Sequence, residues 1–294
     1  MNKKYIVVTG GAGFVGTNLI ELLIKKTNHK IISIDNYSSG KKKNHIKSKR
    51  IKYYNANTKD ISKILKKPND VNSIFHFGEF ARIYQSFIKM SDCIDSNTIG
   101  TNAVFNYCLK NKIKLIYSAT SASSGNKGND KNLSPYAFTK AKNLELLENL
   151  KKWFNFKYEV IYFYNVYGPY QIKKGDMATV IGIFEHHYNL DKPLPVVRPG
   201  NQTRRFTHIY DTVKICFKAW RSNLCRHYSI ANHRSYSILN VAKMFGKKIK
   251  YLTKRPGERY ASALTNMNLS NKVYKNFGKI DLKKYIKNFI EKSN

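Results

Sequence analysis

Residues Thr9-Gly10-Gly11-Ala12-Gly13-Phe14-Val15-Gly16, with Asp35 following nineteen positions after the last glycine, decide how this chain folds. Just upstream, Tyr5-Ile6-Val7-Val8 is a short apolar, β-branched run suited to a buried parallel strand, and from Phe14 to Lys26 apolar residues recur at helical spacing. The glycines therefore fall at a strand-to-helix turn. Without side chains there, the backbone can turn tightly and approach a pyrophosphate, whose charge meets the unpaired N–H groups and positive dipole end of the helix. Gly10, Gly13, Phe14, Val15 and Gly16 are accordingly expected to contact a dinucleotide. Asp35 closes a second strand-like run, Ile31-Ile32-Ser33-Ile34. A carboxylate at that point accepts ribose hydroxyls and repels a 2′-phosphate, which favours NAD over NADP.

Working outward, strand-like runs recur at Ile51–Tyr54, Ile74–Phe77, Leu115–Tyr117, Val160–Tyr164 and Tyr228–Ile230, with amphipathic helical stretches between most of them. Such alternation gives an α/β protein: a doubly wound parallel sheet of the Rossmann type covered on both faces. Beyond Gly168-Pro169 the pattern loosens around Pro193, Pro195, Pro199 and Gly200, and from about Asn232 the elements are short. The expected division is a nucleotide-binding domain over residues 1–167, with 208–231 returning to it, and a smaller substrate lobe from 168–207 and 232–294.

The chain has 294 residues and a formal charge of +35, from 53 Lys and Arg against 18 Asp and Glu. A balance this basic can mark a nucleic-acid binder. Only ten of the basic residues are arginine, the side chain suited to bidentate phosphate contacts, and the lysines are spread along the chain, so nucleic acid is not the expected partner. The Lys41-Lys42-Lys43 run reads as a solvated loop. No run of about twenty apolar residues occurs, so no membrane span is expected and the cytoplasm is the expected location. Cys93, Cys108, Cys216 and Cys225 lack metal-ligand spacing and read as reduced core residues, with no metal expected.

Tyr136-Ala137-Phe138-Thr139-Lys140 opens a helix-like stretch that runs through Trp153 after the turn-forming Ser134-Pro135. Residues four apart share a helix face, so a phenol and an ammonium can enter one cleft, and a nearby cation makes phenolate easier to form. Ahead of them, Tyr117-Ser118-Ala119-Thr120-Ser121-Ala122 carries hydroxyls off the end of a strand, where open parallel sheets bind their ligands. Thr120 is the candidate hydrogen-bonding partner of a reacting oxygen. His208 near Asp211, and His76, read as structural histidines.

With these motifs in hand, the chain resembles the extended short-chain dehydrogenase/reductase superfamily, within it the NAD-dependent nucleotide-sugar epimerase/dehydratase family that includes UDP-glucose 4-epimerase. The marks are Thr9 to Gly16, Asp35-Asn36, His76-Phe77-Gly78, Asn97, the Tyr136/Lys140 pair, Tyr164-Asn165-Val166-Tyr167-Gly168-Pro169, Arg204 through Asp211, and Arg255-Pro256-Gly257-Glu258. The resemblance implies that Tyr136 is the acid/base, that Lys140 holds the nicotinamide ribose, and that Thr120 fills the hydroxyl position of a catalytic triad. It implies cofactor contacts from Asn36, Asn57, Phe77 and Asn97, and contacts to the sugar or diphosphate from Asn165, Arg204 and Arg255. Ser262 aligns beside the sugar, where its small size would admit an N-acetyl group. A homodimer through two helices of the large domain is also implied.

Family dehydratases carry acids just after the Thr120 position, whereas this chain has Ser121 and Ala122. Reversible oxidation at C4 is therefore the expected reaction, on a UDP-hexose or UDP-N-acetylhexosamine. The alternatives are a dehydratase or reductase of the same family, or a non-catalytic NAD-binding protein. Two departures stand out. Asn57 replaces an aspartate commonly used on adenine, and Glu79 replaces a small residue beside the cofactor. The acid is expected either to pair with Arg82 or to supply the carboxyl missing after Thr120.

Overall fold

The computed structural model describes residues 4–123, 130–257 and 273–293. Its centre is an eight-stranded parallel sheet built from β1 (Tyr5–Thr9), β2 (Lys30–Asp35), β3 (Ile51–Asn55), β4 (Val71–His76), β5 (Lys114–Thr120), β6 (Tyr158–Phe163), β7 (His227–Ala231) and β8 (Val273–Phe277). The strand order is β8-β7-β6-β5-β4-β1-β2-β3. Order reverses between β1 and β4, which pair with Thr9 opposite His76. Ligands of open α/β sheets bind at that kind of crevice, outside the carboxyl ends of the strands.

Both sheet faces are covered, as the continuous apolar character of the strands requires. On one face, α1 (Phe14–Lys26) and the later helix α6 (Ile209–Ser222) bury Leu19, Ile20, Leu23, Val213 and Cys216 against Ile6, Val8 and Phe75. On the other, α3 (Thr101–Lys110) and α4 (Pro135–Phe154) bury Phe105, Cys108, Leu147 and Leu150 against Val7, Ile74 and Leu115. A short helix, α2 (Ile83–Ile88), lies between β4 and α3. The start of α4 has a local cause: Ser134 Oγ accepts a hydrogen bond from Ala137 N, and Pro135 occupies the first turn.

A second, smaller core gathers around Phe184 of α5 (Val180–Asn189), with Leu194, Val196, Phe206, Val241, Phe245 and Ile286. Two small sheets frame it. Thr203–Arg205 pairs antiparallel with Ser235–Ser237, and Leu194–Val197 pairs parallel with Ile249–Leu252. One boundary differs from expectation: residues 273–277, assigned to the lobe by sequence, form β8 on the outer edge of the main sheet, pairing with β7. Nothing in the sequence of that tail separates a strand of the lobe from a strand of the sheet, because a five-residue run carries no record of its partner. After the lobe's first part, the chain forms α6 on one face of the main sheet and then β7 beside β6.

Candidate active site

A cavity of about 800 Å³ opens at the carboxyl ends of the central strands and extends to the lobe. Its cofactor end is built from the first βα turn. Gly10 has φ +68°, and a Cβ there would lie 2.9 Å from backbone atoms of Phe77 and Gly78, so β1 and β4 can close only around a glycine. At Gly16 a Cβ would fall 2.1 Å from the carbonyl oxygen of Gly10. Thr9 completes the seam: its Oγ1 accepts from Phe77 N and Gly78 N at 3.1 and 3.0 Å. With those two acceptances, the Thr9 hydroxyl is left to donate to His76 Nδ1, at 2.8 Å.

Helix α1 begins at Phe14 with no side-chain cap at Gly13, and Gly10, Gly13, Phe14, Val15 and Gly16 all line the cavity. Its first N–H groups are thereby offered to an anion. Asp35 is 7% exposed and takes Ala12 N at 2.9 Å on one oxygen and Tyr37 N at 2.8 Å on the other. Burial raises its pKa, and those backbone donors oppose the rise. Asn36 and Asn57 line the same end, joined by a 2.9 Å hydrogen bond from Asn36 Nδ2 to Asn57 Oδ1. Phe77 lines the wall beside them. A glycine cradle, an uncapped helix start and an anchored acid fit a dinucleotide. Lys41, Lys42 and Lys43 are exposed and do not line the cavity.

Thr120, Tyr136 and Lys140 meet at the other end of the same cavity. Thr120 ends β5, and its side chain hydrogen-bonds the phenol of Tyr136. That bond favours phenolate, but burial dominates and pushes the Tyr136 pKa up to about 12. Glu79 adds to the rise, with a smaller contribution from the Cys93 thiol, while Arg82 opposes it. Lys140 is 3% exposed; its ammonium donates to Ser118 O at 2.5 Å and to Glu79 Oε2, and lies 4.7 Å from the centre of the Tyr117 ring. Burial lowers the Lys140 pKa, and Glu79 counters this.

Of the two roles expected of Glu79, the pairing with Arg82 does not match its contacts. Its partner is Lys140 rather than Arg82, and its other oxygen accepts from Thr101 Oγ1 and Tyr117 OH, both at 3.0 Å, and from Asn143 Nδ2 at 3.4 Å. Since Thr101 donates to Glu79, it must accept from His76 Nε2, which sits 3.0 Å away. The directions are consistent around the chain Thr9, His76, Thr101, Glu79 only for a neutral imidazole protonated at Nε2. Burial lowers the His76 pKa to about 4, so that form is kept. Arg82 turns the other way, donating through Nε and Nη2 to Met177 O at 3.0 and 2.5 Å and through Nη1 to Ala81 O at 2.7 Å.

Asn97 is the second difference. It is fully buried behind the wall and is not among the residues lining the cavity. Its amide clamps the backbone of Phe80, accepting from Phe80 N at 2.6 Å and donating to Phe80 O at 3.0 Å. It therefore shapes the segment carrying Glu79. Asn165, Arg204 and Arg255 do line the cavity. Asn165 donates to Arg205 O at 3.0 Å, Arg204 lies on the short strand Thr203–Arg205, and the Arg255 guanidinium rests 4.9 Å from the centre of the Tyr84 ring on α2. Ser262 and Glu258 lie outside the described residues. His208 serves as the N-cap of α6, its Nδ1 accepting from Tyr210 N, while Asp211 accepts from Lys279 N and Ile280 N, as expected of structural residues.

The chain belongs to the NAD-dependent epimerase/dehydratase family. The family model matches residues 6–231, which takes in the glycine turn, Asp35, Thr120, Tyr136 and Lys140. A Bacillus subtilis protein named uncharacterized UDP-glucose epimerase YtcB is 30% identical over 228 residues, covering 71% of this chain and 70% of its own. UDP-N-acetyl-alpha-D-glucosaminuronate decarboxylase of Bacillus cytotoxicus is 29% identical over 235 residues, covering 74% and 71%. Among solved structures, UDP-N-acetylglucosamine 4-epimerase from Methanobrevibacter ruminantium superposes with a TM-score of 0.83 at 26% identity, over 100% of this chain and 98% of that one. The cofactor is NAD, and the chain is a member of an enzyme family that acts on nucleotide-sugars. No helix among the described residues is long and apolar enough to cross a membrane.

Proposed function

We propose that the protein is a nucleotide-sugar 4-epimerase acting on a UDP-hexose or UDP-N-acetylhexosamine through a transient 4-keto sugar. The observation that carries this reading is the composition of the reacting end. Thr120 and Tyr136 supply hydroxyls bonded to each other on the cavity wall, and the next two positions are Ser121 and Ala122. A 4,6-elimination needs a carboxylic acid to move a proton at C5 or C6. The nearby carboxylate, Glu79, is taken up by Lys140, Thr101 and Tyr117.

The shared cavity of Thr120, Tyr136 and Lys140 supports the following roles. Tyr136 removes the C4 hydroxyl proton and returns it after the keto sugar has presented its other face, with Thr120 holding the oxygen between the two events. NAD, when bound, would supply a reversible hydride acceptor for C4. Asp35 holds the adenosine ribose, Lys140 the nicotinamide ribose, and the α1 N-terminus the pyrophosphate. Arg204 and Arg255 approach from different chain segments, and charge-assisted bonds from two such arginines suit a sugar diphosphate. Incubating the purified protein with UDP-, dTDP-, GDP- and ADP-sugars and following products by NMR tests the reading. Inversion at C4 with one or more UDP-sugars is expected; a 4-keto-6-deoxy product would replace the epimerase with a dehydratase.

The reading extends to a cytoplasmic homodimer. Ile88, Met90, Ile99 and Phe138 are exposed apolar residues on or beside α2, α3 and α4. Light scattering on the purified protein should give twice the chain mass.

A further inference from the structure

We propose that Glu79 is a positioning residue for the nicotinamide end of the cofactor: it fixes the Lys140 ammonium and balances its charge, which raises affinity for NAD relative to NADH. The inference rests on the reading of Lys140 as the residue that holds the nicotinamide ribose.

The pair is closed off from solvent. The Lys140 and Glu79 side chains are 4% and 2% exposed, so water screens their charges little. The ammonium donates to Glu79 Oε2 and to Ser118 O, and lies close to the Tyr117 ring. Two of its three N–H donors are used in this way. Lys140 and Glu79 both line the cavity, and the third donor is the one that meets a ribose hydroxyl.

Glu79 is itself held from behind. Its Oε1 accepts from Thr101 Oγ1, Tyr117 OH and Asn143 Nδ2, which come from α3, β5 and α4. Thr101 is fixed in turn by His76 Nε2, and His76 by Thr9 at the seam of β1 and β4. All of these groups are neutral, His76 included, because burial lowers its pKa to about 4. They set where the carboxylate points without offsetting its charge, and Lys140 is its ion-pair partner.

Oxidised nicotinamide carries a positive charge, whereas the reduced ring is neutral. An unbalanced ammonium at the ribose repels the first and not the second. With Glu79 bonded to it, Lys140 keeps its ribose donor and its place one turn from Tyr136, while the carboxylate offsets the repulsion on the ring. A small residue at position 79 would leave the ribose donor and remove the offset.

Equilibrium competition between NAD and NADH on the full chain, read by the fluorescence of bound NADH, tests the proposal without any sugar. Glu79→Gln keeps the volume and removes the charge, so NAD should weaken relative to NADH by on the order of ten-fold, the scale of one neighbouring charge. Glu79→Asp, which keeps the charge, should stay nearer to wild type. The double variant Glu79→Gln with Lys140→Gln removes both charges and should bring the ratio most of the way back. If Glu79→Gln does not fold, comparing Lys140→Gln with the double variant isolates the same carboxylate, and NAD should be favoured about ten-fold more in Lys140→Gln. A purely structural role for Glu79 would weaken both forms alike. A ratio unchanged or moved the other way in Glu79→Gln, or moved as far in the double variant, would overturn the proposal. Direct titration of NADH checks the reading beneath it: Lys140→Gln should weaken binding, and undiminished affinity would show that Lys140 does not hold the ribose and would overturn both. Absence of sugar turnover would overturn the epimerase reading and leave the cofactor result standing.

Discussion

The two ends of the cavity are specified in different ways. At the cofactor end, structure follows from residues close together in sequence: Gly10 and Gly16 make room for backbone, α1 starts uncapped, and Asp35 is anchored by Ala12 and Tyr37. At the reacting end, the same Tyr136 and Lys140 that local spacing pairs are assigned different partners by distant residues. Glu79 reaches Lys140 from sixty-one positions away, and Arg82 is oriented by Met177, ninety-five positions off. Local motifs thus shape the glycine-turn end of the cavity, while the surroundings of Tyr136 and Lys140 depend on contacts between elements.

The largest expected effect lies at the locally specified end. Gly16→Ala would drive a Cβ into backbone at 2.1 Å, and neither atom belongs to a flexible side chain. The variant should lose NAD binding, measured by calorimetry, and lose cooperative unfolding; retention of both would show that the turn tolerates a side chain. Next comes Tyr136→Phe at the other end. It removes the oxygen proposed to transfer the proton and little volume, so kcat should fall roughly 10²–10⁴-fold while NAD affinity is kept. Turnover within a few-fold of wild type would remove Tyr136 from the chemistry.

Smaller effects sharpen the contrast. Asp35→Ser deletes a charge-assisted acceptor worth roughly 1.5–3 kcal/mol, so preference for NAD over NADP should narrow by about ten- to a hundred-fold in competition binding. An unchanged ratio would transfer cofactor choice to the Lys41–Lys43 loop. The seam between the two ends gives the last effect. His76 titrates near 6.5 when unfolded and near 4 when folded, so the unfolded chain binds more protons between those values. Stability should therefore be fully present above pH 6.5 and decline as pH falls toward 4. Denaturant midpoints should show that slope in the wild type and a flatter one in His76→Gln; parallel slopes would mean His76 is not kept neutral.

Much of this was legible beforehand where the determinant is local. The glycine turn, helix α1 from Phe14 to Lys26, and the start of α4 after Ser134-Pro135 all follow from periodicity and capping chemistry. Other features needed tertiary partners. Strand β8 reads as part of the lobe in sequence because five residues do not reveal which edge they extend. Asn97 read as a cofactor contact because its motif was recognisable, while its inward turn toward Phe80 depends on the path of the segment after β4. Glu79 stands out in the sequence as an acid beside the cofactor motif, but its capture of Lys140 depends on Tyr117, Thr101 and Asn143 converging from three elements. The carbonyls of Ser118 and Met177, which position Lys140 and Arg82, carry no side-chain signal at all.

The central claim is that the sugar is oxidised and reduced at one carbon. A UDP-hexose or UDP-N-acetylhexosamine turned over by the enzyme, prepared with deuterium at C4, tests it in one measurement. In the proposed reaction Tyr136 and Thr120 move only the hydroxyl proton, so the account predicts epimerised product with deuterium retained at C4 and no accumulation of NADH absorbance. Deuterium relocated to C6 would show elimination, and label lost from the sugar with a stoichiometric rise in NADH would show net oxidation. Either result would contradict the 4-epimerase assignment.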